Sequence, residues 1–359
     1  MGTRGSMLAP RVVRRLLQQH DALAAALVSE FSLLGPATAA TPRFHASMEA
    51  YALDCSRAAK TNREALVRLF GPPEAASSIP FAWLRENGWL SSNSPPSEYD
   101  ELGSVWRHLA KDWTDLYSGR AAPYRERVVA ALIAEGAAVR SVLVPGVGAG
   151  RLAVTLADAL PAARVEGFDA SPAQLAVAEA VLGRGPELGG LPFHPFLDEP
   201  RNHASPASRL AKLSLHEVLP ARPPNLSLRA ASLEEHAGRG SYDAVVSCFF
   251  LDALGDVAGG LRALRAQLRP GGLLLLLGPL AYHPAHWPQL SPSLEQLLIL
   301  ADEVGLERLG SGSSAGGPEQ VNLAAGVELL RAEYYPSPLP TLGGHGHEWT
   351  AFWSTFRAV

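Results

Sequence analysis

Three glycines at alternate positions follow a short apolar run near the middle of the chain. The segment VLVPGVGAG contains the run Val142–Val144, then Pro145, and then Gly146, Gly148 and Gly150. Because glycine has no Cβ, such a bend lets the backbone approach a ligand closely. The periodic apolar segment that follows predicts a helix, whose N-terminal amides suit a phosphate or another polar cofactor. The glycine loop is therefore the first candidate binding element.

A carboxylate ends the next apolar segment. Asp169 closes RVEGFD, about twenty residues after the glycine loop. A carboxylate there can accept two hydrogen bonds from ribose hydroxyls, which favours an adenosine-type cofactor with a free 2′-hydroxyl. The alternative role is the N-cap of the helix SPAQLAVAEAVL, which Ser171 could serve equally well.

Short apolar runs alternate with helical patterns from residue 141 onward, and these elements must position the loop and the carboxylate. A helix follows each of the first two runs, and another is predicted at 256–268. The predicted strands are 141–145, 164–169, 243–249 and 272–278. This alternation predicts a parallel sheet with crossover helices. Two stretches rich in Pro, Gly and Ser, about 183–224 and 310–346, interrupt it as insertions.

The residues before the glycine loop have a different organisation. Apolar positions recur every three to four residues in 12–31 and 48–70, which predicts two amphipathic helices. The segment 91–100, SSNSPPSEYD, is typical of a linker. A further helical segment, SVWRHLAKDWTDLY at 104–117, leads toward the first strand.

Composition excludes several classes of function. The chain has 359 residues, of which 47% are hydrophobic and 18% charged, and its formal net charge is −4. This is enough apolar material for a folded core, and nothing indicates the clustered basic face of a nucleic-acid-binding protein. Two cysteines, Cys55 and Cys248, cannot build a disulfide framework, which favours a reducing compartment. Apolar runs such as Leu273–Leu277 are too short to span a bilayer. We expect a cytoplasmic protein; an additional nuclear location and a homodimer stay open.

The first residues admit three interpretations. MGTRGSMLAPRVVRRLLQQH contains arginines and no acidic residue before Asp21, as a transit peptide would. Met1-Gly2 with Ser6 also fits a myristoylation pattern. The third interpretation is a start without targeting function, followed by an ordinary amphipathic helix. Organelle targeting therefore stays open.

The region after the first of the two insertion-rich stretches carries a more specific pattern. Residues 241–279 contain an apolar strand led by Asp243, a helix, the turn Pro270-Gly271-Gly272 and a leucine-rich strand. This order resembles the second half of class I methyltransferases. The segments VLVPGVGAGRL, CFFLDAL, LRPGG and GPLAYH, in this order, resemble the carnosine N-methyltransferase family more closely. The likeness runs from about 104 to 287 and includes Pro145, where most class I enzymes have an acidic residue.

The resemblance implies a fold and an activity. The fold is an α/β, Rossmann-like class I methyltransferase domain over 99–359, with a mostly parallel sheet, behind an N-terminal helical region over 1–98. The implied cofactor is S-adenosyl-L-methionine, and the implied acceptor is an imidazole nitrogen of a small, carnosine-like molecule. A histidine in a peptide or protein is an alternative acceptor. A non-catalytic cofactor-binding protein is a second alternative, and the Pro-Gly-Gly turn disfavours a third, an NAD-type oxidoreductase.

The resemblance also assigns residues to the two ligands. The cofactor-binding residues would be His108, Lys111, Gly146, Gly148, Gly150, Asp169, Ser232, Leu233 and Cys248. The substrate-binding residues would be Asn202, Asp252, Tyr282, His283 and Trp349, with Asp252 and His283 catalytic. Some positions depart from the family, which has Gln and Arg at His108 and Lys111, Asp-Phe at Ser232-Leu233, and a Tyr near Glu348-Trp349.

Methyl transfer to an imidazole is an in-line displacement that needs a free lone pair on the attacking nitrogen. A carboxylate that accepts the N–H of the other nitrogen fixes the tautomer and orients the ring, and Asp252 would have this role. His283 would hold the substrate from a second direction. Lys111 and His108, three residues apart, share a helix face, and Lys111 is expected to meet the methionyl carboxylate.

Four histidines near the end of the chain raise the question of a metal. They are His283, His286, His345 and His347. No cysteine pair or carboxylate cluster completes the spacing of a metal site, so no metal is predicted.

Overall fold

The structure is a computed structural model of the chain. It describes residues 10–32, 41–71, 101–134, 139–198, 205–236, 242–282, 290–309, 327–333 and 348–359. The chain divides into two compact units. The first, which we call the helical unit, comprises residues 1–119, 171–222 and 334–347. The second, the sheet unit, comprises residues 120–170, 223–333 and 348–359.

The described elements are numbered in chain order. The helices are α1 Pro10–Ser32, α2 Pro42–Phe70, α3 Glu101–Trp113, α4 Ser118–Ala134, α5 Arg151–Ala159, α6 Pro172–Leu188, α7 Pro206–Arg209, α8 Val257–Gln267 and α9 Leu294–Glu303. The strands are β1 Ser141–Pro145, β2 Arg164–Asp169, β3 Pro192–Phe193, β4 Leu213–Ser214, β5 Leu226–Ala230, β6 Tyr242–Cys248, β7 Leu268–Gly278, β8 Leu306–Leu309, β9 Val327–Glu333 and β10 Glu348–Ala358. Short 3₁₀ turns cover Asp115–Tyr117 and Leu251–Ala253.

The helical unit contains α1, α2, α3 and α6, with the small antiparallel pair β3–β4. The apolar faces of α1 and α2 pack together around Leu27 and Cys55, as the sequence periodicity predicts. A buried amide ties α2 to the β3 region, because Asn62 donates to the His194 carbonyl at 2.9 Å and accepts from its N–H at 2.7 Å.

The sheet unit contains an eight-stranded sheet. The strand order is β5-β2-β1-β6-β7-β10-β8, and β9 pairs with β10. Strands β5, β2, β1, β6 and β7 are parallel, whereas β10 is antiparallel to β7, β8 and β9. The inner strands are buried over most of their length, and their continuous apolar runs are typical of parallel strands covered on both faces. The predicted α/β fold class, with a mostly parallel sheet and N-terminal helices, is confirmed.

Several bounds differ from the sequence-based prediction. Strand β7 begins at Leu268 rather than 272, so the predicted Pro-Gly-Gly turn forms the irregular start of the strand. Gly271 has φ of +76° there, and a Cβ on Gly272 would lie 3.0–3.2 Å from three backbone oxygens. Both positions therefore require glycine.

Four strands of the sheet were not predicted, namely β5, β8, β9 and β10, of which β9 lies within the stretch predicted as an irregular insertion. Strands β5 and β8 are partly exposed, so no continuous apolar run marks them. The other predicted insertion, 183–224, contains the end of α6, the β3–β4 pair and α7. Among the described helices, none combines the length and apolar character that a membrane-crossing segment requires.

Candidate active site

The glycine loop connects β1 to α5 in the sheet unit. Gly146, Gly148 and Gly150 all have positive φ, of +63°, +56° and +93°. A Cβ on Gly146 would lie 2.4 Å from a ring carbon of Phe250, so a larger residue would displace that ring. Gly150 is the N-cap of α5, and no side chain caps this helix end. Amides at such a terminus suit a polar ligand, as the sequence predicted.

Asp169 is joined to the glycine loop by a direct hydrogen bond. Its Oδ2 accepts from the Gly148 amide at 2.9 Å, and the Val147 amide donates to the Phe168 carbonyl at 3.0 Å. The alternative capping role is filled by Ser171, whose Oγ accepts from the Gln174 amide at 3.4 Å. Asp169 therefore holds the loop conformation, and ribose binding by the same carboxylate stays a prediction.

Asp252 lies just beyond the carboxyl end of β6, in the turn Leu251–Ala253. Its Oδ2 accepts from the Ala281 amide at 3.2 Å. Burial raises the pKa of Asp252, and the hydrogen bond from Ala281 opposes this effect. Asp252 could also have capped the helix that begins at Val257, but the N-cap of α8 is Asp256, whose side chain accepts from the Gly259 amide at 2.8 Å. Asp252 is therefore a half-buried carboxylate that caps no helix, and it lies at the edge of the sheet where ligands bind in open α/β folds.

Two residues with a strained backbone, one before and one after Asp252 in the chain, belong to the segments that surround it. Phe249 and Tyr282 are the non-glycine residues with positive φ in the described part of the chain, at +53° and +39°. Phe249 follows β6 and is held by its amide, which donates to the Leu277 carbonyl at 2.7 Å. Bulky residues rarely adopt this conformation, and such strain concentrates at functional sites. The region around Asp252 is therefore the strongest candidate reaction site in the sheet unit.

A comparison with protein-family models identifies the family of the chain. A family model described as carnosine N-methyltransferase matches residues 90–316, more than half of the chain. The chain belongs to the carnosine N-methyltransferase family. The matched range includes the glycine loop, Asp169 and Asp252.

Curated relatives carry the same family name. The carnosine N-methyltransferase of Mus musculus is 26% identical over 196 residues, covering 52% of this chain and 48% of its own. The carnosine N-methyltransferase of Schizosaccharomyces pombe is 27% identical over 244 residues, and the match covers 59% of this chain and 64% of the length of that protein. The chain thus spans about half to two thirds of the length of these relatives.

Solved structures that resemble part of this chain include methyltransferases. The antibiotic-resistance methyltransferase Kmr is 18% identical, with a TM-score of 0.36, and covers 64% of this chain and 93% of its own. The 1,6-didemethyltoxoflavin-N1-methyltransferase of Burkholderia thailandensis is 16% identical, with a TM-score of 0.38, and covers 74% and 93%.

Cys248, Ser232 and Leu233 occupy strand ends in this family member. Cys248 is the last residue of β6, lies opposite Leu277 and is half-buried. Ser232 and Glu235 form a reciprocal pair, in which each side chain accepts from the other residue's amide. The Leu233 side chain lies in the core. Because leucine has no polar side-chain atom, it cannot form the hydrogen bond with adenine that an aspartate would form at this position. Their assignment to the cofactor stays a prediction.

The remaining substrate candidates are only partly described. The Tyr282 hydroxyl donates to the Pro292 carbonyl, and burial together with the charge of Asp252 raises the pKa of Tyr282 to about 12. Trp349 lies in β10 with its backbone paired to Ala332. Asn202 and His283 lie outside the described residues.

His108 and Lys111 belong to α3 in the helical unit. The His108 Nδ1 donates to the Ser104 carbonyl at 2.8 Å and lies 3.1 Å from the Gln174 side-chain nitrogen. Burial, and then the charge of Lys111, lowers the pKa of His108 to about 3, so this imidazole is neutral. The Lys111 side chain is 14% exposed, with Nζ 4.0 Å from the Asp112 carboxylate. His108 thus also packs α3 against α6, and cofactor binding by both residues stays a prediction.

One buried histidine was missed by the sequence analysis. The His236 ring stacks on Phe168 at 4.7 Å, and its Nε2 lies 3.1 Å from the Tyr242 hydroxyl, which donates to Glu166 at 2.9 Å. Burial lowers the pKa of His236. His236 packs on Phe168, the residue that precedes Asp169, and no sequence motif around His236 predicts this contact. The described residues also contain no cluster of three or more side chains suited to a metal ion.

Proposed function

We propose that this protein is an S-adenosylmethionine-dependent N-methyltransferase that acts on an imidazole nitrogen of a small, histidine-containing substrate. The observation that carries the proposal is the half-buried Asp252 carboxylate just beyond the carboxyl end of β6, bonded to the Ala281 amide, in a chain of the carnosine N-methyltransferase family. The relatives from Mus musculus and Schizosaccharomyces pombe are carnosine N-methyltransferases. The transfer of this activity to this chain is our proposal.

The residues around the glycine loop fit the cofactor. Gly146 has no Cβ that would displace the Phe250 ring from beside the loop, and Asp169 holds the Gly148 amide in place. Gly148 and Gly150 bring the backbone toward the methionyl part, and Asp169 would accept hydrogen bonds from the ribose. S-adenosylmethionine supplies a sulfonium methyl group that is already activated for transfer.

Asp252 has the chemistry to orient the acceptor. Its carboxylate would accept the N–H of one imidazole nitrogen, which leaves the lone pair of the other nitrogen free for in-line attack. As the new N–C bond forms and the S–CH3 bond breaks, S-adenosylhomocysteine would leave as a neutral thioether and the positive charge would pass to the imidazole ring, where the Asp252 carboxylate would stabilise it. The N–H proton stays on the nitrogen that faces Asp252 during this step.

A transfer assay tests the proposal directly. Calorimetry with S-adenosylmethionine, S-adenosylhomocysteine and NAD establishes the cofactor class. Labelled-methyl transfer is then measured with carnosine, free histidine and a histidine-containing peptide. We expect binding of the two adenosylmethionine compounds and methylation of carnosine on a ring nitrogen. Cofactor binding without transfer to any imidazole would favour the non-catalytic alternative, and transfer to the peptide alone would change the acceptor class.

The pH dependence of the reaction is a second test. The rate should fall as the pH drops below roughly 6.5–7, because a protonated imidazole has no lone pair to attack with. A rate that stays constant down to about pH 5 would contradict an imidazole acceptor.

A further inference from the structure

A buried arginine in α4 has no carboxylate partner among the residues that the structure describes. Arg125 is 8% exposed, and its Nη1 is buried without a hydrogen-bond partner. Its one recorded interaction within the described residues is with the face of Tyr124, where Cζ lies 5.7 Å from the ring centroid. A cation over an aromatic ring gains some stabilisation, but the ring does not satisfy the N–H donors of the guanidinium.

The same helix contains an arginine with ordinary surroundings. Arg127, two residues further on, is 36% exposed, and both of its terminal nitrogens donate to the Glu328 carboxylate. Its guanidinium also lies 5.1 Å from the Trp353 ring centroid. The partly exposed arginine is thus paired, whereas the more buried one is not. Burial of a charge without a counter-charge is costly, so Arg125 fits a site that an anion completes.

The position of Arg125 relates it to the candidate reaction site. The Tyr124 ring contacts the strained Phe249, with the two centroids 5.8 Å apart and an interplanar angle of 62°. Phe249 is three residues before Asp252 and begins the segment that presents this carboxylate. The contacts from Arg125 to Tyr124 and from Tyr124 to Phe249 therefore connect the buried cation to the segment that carries Asp252.

We propose that Arg125 binds the carboxylate of the methyl acceptor. This inference rests on the proposed function and narrows its substrate class to imidazole compounds that carry a free carboxylate. In a histidine-type acceptor the carboxylate lies only a few bonds from the ring. Asp252 and Arg125 can then hold the two ends of one small molecule. Guanidinium and carboxylate match as a bidentate pair, which adds geometric selectivity to charge attraction.

A substrate pair that differs only in the carboxylate tests the inference. We would measure kcat/KM for carnosine and for β-alanylhistamine, the same molecule without its carboxylate. The wild-type protein, Arg125→Met and the matched control Arg127→Met are compared. We expect the wild type to prefer carnosine by about 10- to 100-fold, the scale of a charge-assisted pair. Arg125→Met should abolish this preference, and Arg127→Met should keep it.

Other outcomes separate the inference from the proposed function. Equal methylation of both compounds by the wild type would refute the role of Arg125 while the methyltransferase proposal stands. Methylation of neither compound would refute the proposed function itself. If Arg125→Met does not fold by circular dichroism, Arg125→Lys replaces it, and the preference should fall several-fold because lysine cannot pair bidentately.

The carboxylate of the cofactor is the competing source of the same chemistry. Calorimetry with S-adenosylhomocysteine and with 5′-methylthioadenosine, which lacks the amino-acid carboxylate, distinguishes the two. We expect Arg125→Met to leave both affinities unchanged. A loss confined to S-adenosylhomocysteine would assign Arg125 to the cofactor and overturn our inference.

Discussion

The two ends of strand β6 each carry an aspartate, and the two carboxylates have opposite surroundings. Asp243, at the amino end, is 5% exposed and accepts from the Arg140 amide, the Ser141 amide and the Ser141 hydroxyl at 2.6–3.0 Å. Its other oxygen lies 2.7 Å from Arg269 Nε. Asp252, at the carboxyl end, accepts from one neighbouring amide, and burial raises its pKa.

This difference separates a structural carboxylate from a functional one. Asp243 is so well supplied with donors that its charge holds β1, β6 and the start of β7 together. Within the described residues, Asp252 accepts from the Ala281 amide and from its own backbone amide, which leaves carboxylate lone pairs for a ligand. Substitutions at the two ends should therefore affect different observables.

The largest effect is expected for Asp252→Asn. The amide keeps the shape of the side chain but no longer favours one imidazole tautomer through charge, so turnover should fall about 10²-fold or more. S-adenosylhomocysteine affinity, measured by calorimetry, should hardly change. Asp256→Asn is the matched control, because asparagine also caps α8. Intact turnover in Asp252→Asn would disprove the orienting role, and lost cofactor binding would place Asp252 on the adenosyl side.

Asp243→Ala should act on stability instead. Loss of the acceptor leaves the Arg140 and Ser141 amides unpaired, and the free energy of unfolding should drop by about 2–3 kcal/mol. Urea denaturation measures this change, and kcat/KM of the folded protein should stay near wild type. A loss of turnover in a variant of normal stability would mean that both ends of β6 serve the reaction.

Asp169→Ala tests a third strand-end carboxylate, at the end of β2. S-adenosylmethionine affinity should weaken by about 1.5–3 kcal/mol, since both the Gly148 contact and the ribose hydrogen bonds are lost. Titration calorimetry gives the dissociation constant, and circular dichroism verifies the fold. Unchanged affinity in a folded variant would leave Asp169 with its loop contact alone.

The smallest effect concerns the pH dependence of stability. Because burial raises the pKa of Asp252 above its unfolded value, its ionisation disfavours the folded state. The stabilisation from protonated Asp252 is fully present when the pH is below the pKa that this group has in the unfolded chain. It is lost as the pH rises through the higher pKa that the group has in the folded protein. Asp252→Asn should therefore match or exceed the wild-type Tm at pH 7–8, with a difference that shrinks toward pH 4. If the Tm of Asp252→Asn were lower than that of the wild type at pH 8, the charge of Asp252 would instead stabilise the folded state.

Much of the sheet edge could be predicted from local sequence. Strands β1 and β2 have the predicted bounds, and β6 differs by one residue at each end. Asp169 and Asp252 stand at strand ends, as expected. These features depend on short apolar runs and glycines, whose conformational preferences act over a few residues.

Other features of the candidate site could not be predicted in this way. Strand β5 has a mixed burial pattern that no local run marks, and β9 lies in a glycine- and proline-rich stretch. The stacking of His236 on Phe168 joins residues 68 positions apart in the chain. Such contacts depend on pairing and packing between distant segments, and these override local propensity.

By itself the sequence determined the alternation of strands and helices, the glycine loop and the strand-end positions of Asp169 and Asp252. Periodicity and glycine placement are local, and the parallel sheet aligns the carboxyl ends of its strands along one edge. The tertiary structure alone decided which carboxylates are saturated with donors and which residues are strained. It also decided which cation is buried without a counter-charge. Hydrogen-bond satisfaction, backbone strain and desolvation depend on what surrounds each group in three dimensions, and Arg125 and Arg127 differ in this respect although they are two residues apart.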